Sequence, residues 1–525
     1  MKELILEEAD TNFESLYEAE LEANSKTKNG IYGTAERVFA FICFVLGYFV
    51  MRSFTDAGLG AALTVVITAA ATAVYLNCKG AVQRLPHYAY LTFIALFSSV
   101  FVLSDDGFIK GLATLFILGA LLFYPYFTTG SGRREFINDM FVFDMIKSVF
   151  IMPYPSSVRI FPAAFSGRRE KKSGFRFWHI AAGLAAAFVP TLVVTLLLCI
   201  ADTGFKNVMR SGLDFLSGDV FNEIFMFILG IPAAMLMFGS LYANASGKHR
   251  TTLTKDQRGT FHNAVSVVPQ AVAYAAVTPL CILYIIFLSV QAKYYFGGFA
   301  ANLPDGMTYA EYARSGFFEL CAVAMINMAV IIILSVFTKK KENGKASAPL
   351  KIYSVVMSCF TLLLIAVAMS KMIMYINAYG LSRQRIFTSW FMILLAFAFI
   401  FVILKQFIRK FNYFGSLAAV FAVLFGILCF CDVDARIAEY NVNAYITDSK
   451  KTIDMEQLQE LSDSALPYIL KLTKPVEGRS DEENETVTRR AAEILSARKL
   501  TSADGYDIIH FNIPRYRAKK ISEPF

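Results

Sequence analysis

Eleven long apolar runs, separated by short polar connections, fix the solvent of this chain before anything else about it. About 20 apolar residues is the length a helix needs to cross hydrocarbon, where only helices and closed barrels satisfy their own backbone. The runs lie near residues 37–52, 57–77, 87–104, 109–127, 177–200, 220–242, 265–290, 317–337, 351–371, 387–408 and 413–431. They predict an all-α fold: a polytopic transmembrane helical bundle of about eleven helices. Of the 525 residues 56% are hydrophobic and 18% charged, with a mean hydropathy of +0.49. A soluble protein of that composition would expose large apolar patches.

Three regions follow. Residues 1–36 form an acidic leader carrying Glu7, Glu8, Asp10, Glu14, Glu18, Glu20 and Glu22. A cleavable signal opens on a basic stretch and a short apolar core, so the first run, at 37–52, is expected to stay as an anchor. Residues 37–431 form the transmembrane domain and 432–525 a polar tail expected to be helical. With the amino terminus in the cytoplasm, the cytoplasmic segments hold nearly three times the Lys and Arg of the opposite connections. An odd span count then puts the tail on the extracytoplasmic side. The net charge of +8 reflects this orientation rather than nucleic-acid binding, and the expected surroundings are the lipid bilayer.

Residues 136–152 are apolar but interrupted by Asn138, Asp139, Asp144 and Lys147 and closed by Pro153 and Pro155. They suit an interfacial helix better than a span. Pro190, Pro232, Pro269 and Pro279 fall within apolar runs and predict kinks.

The polar groups expected at the outer leaflet are few. Thr308 and Glu311 have capping-box spacing, so a helix is expected to start there and to run into the eighth span. On it Glu311, Ser315 and Glu319 share a face, with Arg314 beside them. A carboxylate carried into the apolar layer costs roughly 2.5 to 3.5 kcal/mol at its centre, and less near the interface, so it needs a partner. Lys371, Arg383 and Arg385 are candidates from the next outer connection, and Glu223 opens the sixth span on the same side. The cluster is either an ion-pair network locking spans together or a substrate or proton site.

Reaction motifs are thin. There is no G-x-S-x-G elbow, no H-E-x-x-H and no phosphate loop, so no catalytic residue and no cofactor is assigned. The eight cysteines lie in or beside apolar runs and imply no disulfide framework. Cys429 and Cys431 lack partner ligands, and the five histidines are scattered, so no metal is expected.

Four strings carry a resemblance: TYAEYARSGFFEL at 308–320 with Asn327 beyond it, YGLSRQRIFTSW at 379–390, DVDARIAEYNVNAY at 432–445 and FNIPRYRA at 511–518. Together they resemble a bacterial family of multi-pass membrane proteins bearing a domain of unknown function, over most of the chain from about residue 87 onward. The resemblance implies a bacterial cell membrane and brings no activity with it.

In the tail, a short helix is expected at Asp434 to Tyr440, an amphipathic helix at Asp454 to Leu472 and a third at Val487 to Leu500, with a flexible linker from Pro475 to Thr486. So small a helical set has little core of its own and is expected to rest on the spans. Two functional classes remain. One is a non-enzymatic envelope assembly or sensing platform whose tail meets an envelope partner. The other is a transporter of an ion or small solute that uses the outer ionisable groups. An envelope enzyme acting on a lipid-linked substrate stands behind them, with the outer carboxylates its only hint.

Overall fold

The computed structural model describes residues 32–54, 57–130, 141–165, 202, 204–208, 219–246, 268–298, 317–338, 348–408, 410–448, 451–501 and 508–522, with isolated positions between 191 and 198. In chain order the helices are α1 (Thr34–Phe54), α2 (Leu59–Cys78), α3 (Leu85–Leu103), α4 (Gly107–Gly130), α5 (Phe141–Ile146), α6 (Pro153–Ser157), α7 (Ile160–Phe165), α8 (Asp219–Ala245), α9 (Gln270–Gly298), α10 (Phe317–Phe337), α11 (Ala348–Tyr379), α12 (Arg383–Phe407) and α13 (Tyr413–Phe430). The tail adds α14 (Val433–Thr447), α15 (Met455–Glu460), α16 (Asp481–Thr501) and α17 (Ile513–Ser522). Among the described residues nine helices are long and apolar enough to cross a membrane, and α10 holds a shorter apolar stretch, Glu319–Ser335. The protein is an all-α, multi-pass membrane bundle. The run at 177–200, apart from those isolated positions, and the expected helix start at Thr308 to Gly316 lie outside the described residues.

Helix ends follow local chemistry. The 32-residue α11 outlasts its apolar run because Tyr375 to Tyr379 continue it past the hydrocarbon, and Gly380, at φ +78°, ends it in the left-handed region. Pro232 and Pro279 sit inside α8 and α9. Pro269 does not: α9 begins at Gln270, one residue later, so the proline marks a helix start instead of a kink. The described part of the 136–152 segment is α5, six residues, followed by a five-residue π turn at Lys147–Ile151, too short to cross a bilayer. It packs on α4 through Tyr126 Oη, which donates to Asp144 at 2.8 Å, and Ser148 Oγ, which donates to the Leu122 carbonyl at 2.8 Å. The latter lies one turn before Pro125, where the α4 backbone ladder is interrupted.

The chain divides into two compact units. One holds Met1–Arg52, Thr72–Ala81 and Met152–Ala245. Within it Gly47 of α1 meets Gly230 of α8 backbone to backbone, with a Cβ on Gly230 falling 2.6 Å from the Gly47 carbonyl carbon. Small residues at such a crossing let helices associate in lipid, where no hydrophobic drive separates helix from tail. Gly239 of α8 faces Ser157 of α6 in the same way, its Cβ position 2.9 Å from the serine Cα.

The other unit holds Ser53–Ala71, Val82–Ile151 and Ser246–Phe525. One of its apolar clusters joins α9 to α12 around Ala324, Met357, Leu364, Met392 and Phe399. A second begins with Phe97 and Phe101 of α3 and Ile117 of α4, takes in Phe425 and Leu428 of α13, and continues through Ile437, Tyr445, Ile469 and Leu495 of the tail. Span ends and tail thus share one core. Each such side chain of the tail contributes about 1.5–3 kcal/mol by leaving water, so the tail is held on the span ends.

Inside the tail the single helix expected at Asp454 to Leu472 is broken. Met455–Glu460 ends at Leu461, which is extended, and short 3-10 and α turns follow through Thr473. The cause is local: Ser462, Asp463 and Ser464 compete for backbone hydrogen bonds and Pro467 supplies no amide donor. Conversely, α16 starts at Asp481, six residues before the expected Val487, because Asp481, Glu482 and Glu483 favour its first turn. The non-helical linker is correspondingly short and turns at Gly478, φ +82°.

Candidate functional site

A buried polar seam lies where the tail meets the span ends. Its first element is the connection between α3 and α4. Ser104 leaves the helix in an extended conformation, and Asp106 caps α4 by accepting from the Phe108 amide at 2.8 Å. The second element is the start of α12, where Ser382 is the cap and Arg383 the first helical residue. A cation at a helix amino terminus opposes the macrodipole, so Arg383 needs acidic company. The third element supplies it. The chain leaves α13 through Asp432, left-handed at φ +50°, which caps α14 and sets Asp434 in its first turn.

Asp434 is fully buried. It accepts from Arg383 Nε at 2.7 Å and from Nη2, a two-pronged carboxylate–guanidinium pair, and its second oxygen takes the Ser462 amide at 2.7 Å. Asp106 stands 3.8 Å from the same guanidinium. Beside them Asp105 pairs with Lys110 and with Arg515 of α17, each at 3.5 Å, and Asp463 with Arg498 of α16 at 3.3 Å. Backbone bonds close the seam. Asn512 Nδ2 donates to the Ser104 carbonyl at 2.6 Å, the Leu59 amide to the Phe511 carbonyl at 2.9 Å, and Asn441 brackets Leu381 through its amide and carbonyl at 2.8 and 2.9 Å.

The electrostatics are uneven. Burial, then the neighbouring Asp434, raises the Asp106 carboxyl above the usual range against the pull of Arg383 and the Phe108 and Ile109 amides. Burial and Asp105 raise Asp463 against Arg498, Arg515 and Lys110. Asp432 is raised as well, chiefly by burial. Asp106 Oδ2 and Asp463 Oδ1 are buried oxygens that accept no hydrogen bond. Such an arrangement can clamp the tail and exchange protons; among the described residues it offers no group of metal ligands.

Of the residues expected at the outer leaflet, Arg383 is central to this seam. Arg385 lies beside it with a different role: its guanidinium sits 4.1 Å over the Tyr375 ring and donates to the Tyr379 and Gly380 carbonyls, closing the end of α11. Lys371 is buried in α11, and the charge of Glu319, an exposed residue of the first turn of α10, acts on it. Glu223 accepts from Tyr48 Oη at 2.5 Å and pairs with Arg52 at 3.2 Å, both on α1. Glu311 and Arg314 lie outside the described residues. Deeper in the bundle the fully buried Asn327 accepts from Tyr284 Oη at 2.5 Å and donates to Thr361 Oγ1 at 2.9 Å, tying α9, α10 and α11.

Sequence reasoning missed Asp105, Asp106, Asp434, Asp463, Arg498 and Arg515. Two signals were present: an adjacent acidic pair between two apolar runs, and the alternating acids Asp432 and Asp434 at the exit of the last. Three of the four motif strings meet here, through Arg383, Asp434 and Arg515.

The chain belongs to the family defined by the domain of unknown function DUF4153, whose model matches residues 91–472. The match begins in α3 and ends in the tail, so it takes in both sides of the seam. No curated protein and no solved structure matches the chain.

Proposed function

We propose that this protein is a non-enzymatic envelope assembly or sensing platform in the bacterial cell (inner) membrane, its amino terminus cytoplasmic and its tail extracytoplasmic. The carrying observation is the fully buried Asp434 held by Arg383, which ties the tail to the start of α12. Two further points support the reading. Leu59, Ser104 and Leu381, which bond to the tail, lie in or beside connections that the eleven-span order puts on the side away from the amino terminus. The seam is also made of acid–base pairs and amide bonds that tie one element to another. A photo-crosslinker set in living cells at exposed positions of α16, Arg489 or Glu493, should capture one defined envelope component. Absence of any adduct along the exposed tail sinks the platform reading.

A second reading, a transporter of an ion or small solute, is favoured by Lys371, an ionisable group buried within a span. Glu319→Gln should then abolish flux in proteoliposomes at unchanged protein level; flux equal to that of the parent protein removes it.

A further inference from the structure

The seam contains more acid than its hydrogen bonds use. Asp106 is 5% and Asp463 8% exposed, and each keeps one carboxylate oxygen that accepts no hydrogen bond. A buried carboxylate without donors is costly as an anion and much less so as a neutral acid. Each also faces another acid across the joint: Asp434 of α14 stands by Asp106, which belongs to the α3–α4 connection, and Asp105 of that connection stands by the tail residue Asp463. Several cations oppose this excess. Arg383 of α12 is shared, holding Asp434 by hydrogen bonds and Asp106 only at 3.8 Å. Lys110 of α4 and Arg515 of α17 pair with Asp105 and also act on Asp463, and Arg498 of α16, which also caps the Leu461 carbonyl at 2.8 Å, pairs with Asp463 at 3.3 Å without a hydrogen bond to Oδ1.

We propose that this joint is a proton-operated latch: Asp106 and Asp463 take up protons from the medium on the tail side, and the tail is then held more tightly on the span ends. The inference rests on the tail-outside reading above and adds the signal to which the platform responds. The sign is fixed by linkage. Both carboxyls stand above the free value in the joint, chiefly by burial, so the stabilisation they give the docked tail is full below the free carboxyl value and is lost as the pH rises through the raised value. Lowering the pH through the raised values therefore tightens this joint, opposite to the usual fate of a surface carboxylate–arginine pair.

The test uses the full chain in sealed proteoliposomes, with hydrogen exchange at the Ser462 amide, which is bonded to Asp434, read against its intrinsic rate while pH is stepped from 7.5 to 5 on one face at a time. Protection should rise severalfold when the tail face is acidified. Asp106→Asn and Asp463→Asn, near-isosteric and neutral, should each flatten the response, and the double variant should lose it altogether while being more protected than the parent protein at pH 7.5. Protection that is flat or falls with acid overturns the latch, as do variants that titrate like the parent. A response to acid only on the face opposite the tail also overturns the latch, because the seam carboxyls lie on the tail's face; the orientation is tested separately in cells by a phosphatase fused after Phe525, so its failure is told apart from failure of the latch. The parent's own titration carries the result even where a variant does not fold.

Discussion

Asp434 and Arg383 set the sharpest expectations for single residues. Asp434→Asn leaves a partly buried guanidinium without its counter-charge and should destabilise docking of the tail by about 3 kcal/mol, the lower end for a broken buried pair because Arg383 is one-third exposed. Arg383→Lys keeps the charge but not the fork, and the loss should be roughly 1.5 kcal/mol, one charge-assisted hydrogen bond. Both are read as the free energy of exchange at tail amides, with membrane insertion unchanged. Gly380→Ala should cost about 1–2 kcal/mol, because φ is +78° and the added methyl meets the Asn441 side-chain oxygen; an unchanged melting temperature contradicts that account. Legibility at this scale was partial. Arg383 stood out as a charge beside a span, but its partner lies 51 positions later, on a helix whose placement depends on the whole tail. Arg385 carries the same charge two residues on and closes a helix instead, a difference set by the helical phase of α12 that composition does not reveal.

Among the elements, the span helices were the readable part, since a run of apolar residues long enough to cross lipid leaves the backbone one solution. The tail was not, because its helices are set by caps and by docking as much as by periodicity. Asp454 and Asp432 cap their helices through the Gln457 and Ala435 amides, whereas the Ser462 to Ser464 stretch interrupts an otherwise helical pattern to bring an amide to Asp434. Packing inside the first unit is tested by Gly230→Leu. Its side chain would enter the Gly47 backbone, so α1 and α8 must separate, and the melting temperature should fall; an unchanged value contradicts the close approach. In the tail, Leu495→Ala removes a fully buried side chain and should cost about 2–5 kcal/mol, seen as faster proteolysis of residues 451–501 with the spans intact.

For the whole molecule, the orientation is the expectation from which the others descend. A phosphatase fused after Phe525 should be active and a cytosolic fluorescent reporter at the same point dark; the reverse pattern inverts the topology. The apolar count made the multi-pass bundle legible at this scale, while the meeting of tail and spans was not, since contacts between Ser104 and Asn512 bridge 408 positions and leave no local trace.

That separation has a consequence for biogenesis. The docking surface is assembled from connections that emerge early and from α17, made about 400 residues later, so it cannot exist until the spans between them have been synthesised. A chain stalled or misthreaded on the way would leave Ile469, Leu472 and Leu495 bare to any protease on the tail's side. Closure of the carboxyl end therefore doubles as a quality mark, and in a pulse-labelled cell its resistance to added protease should appear abruptly after synthesis is complete, never in step with chain growth.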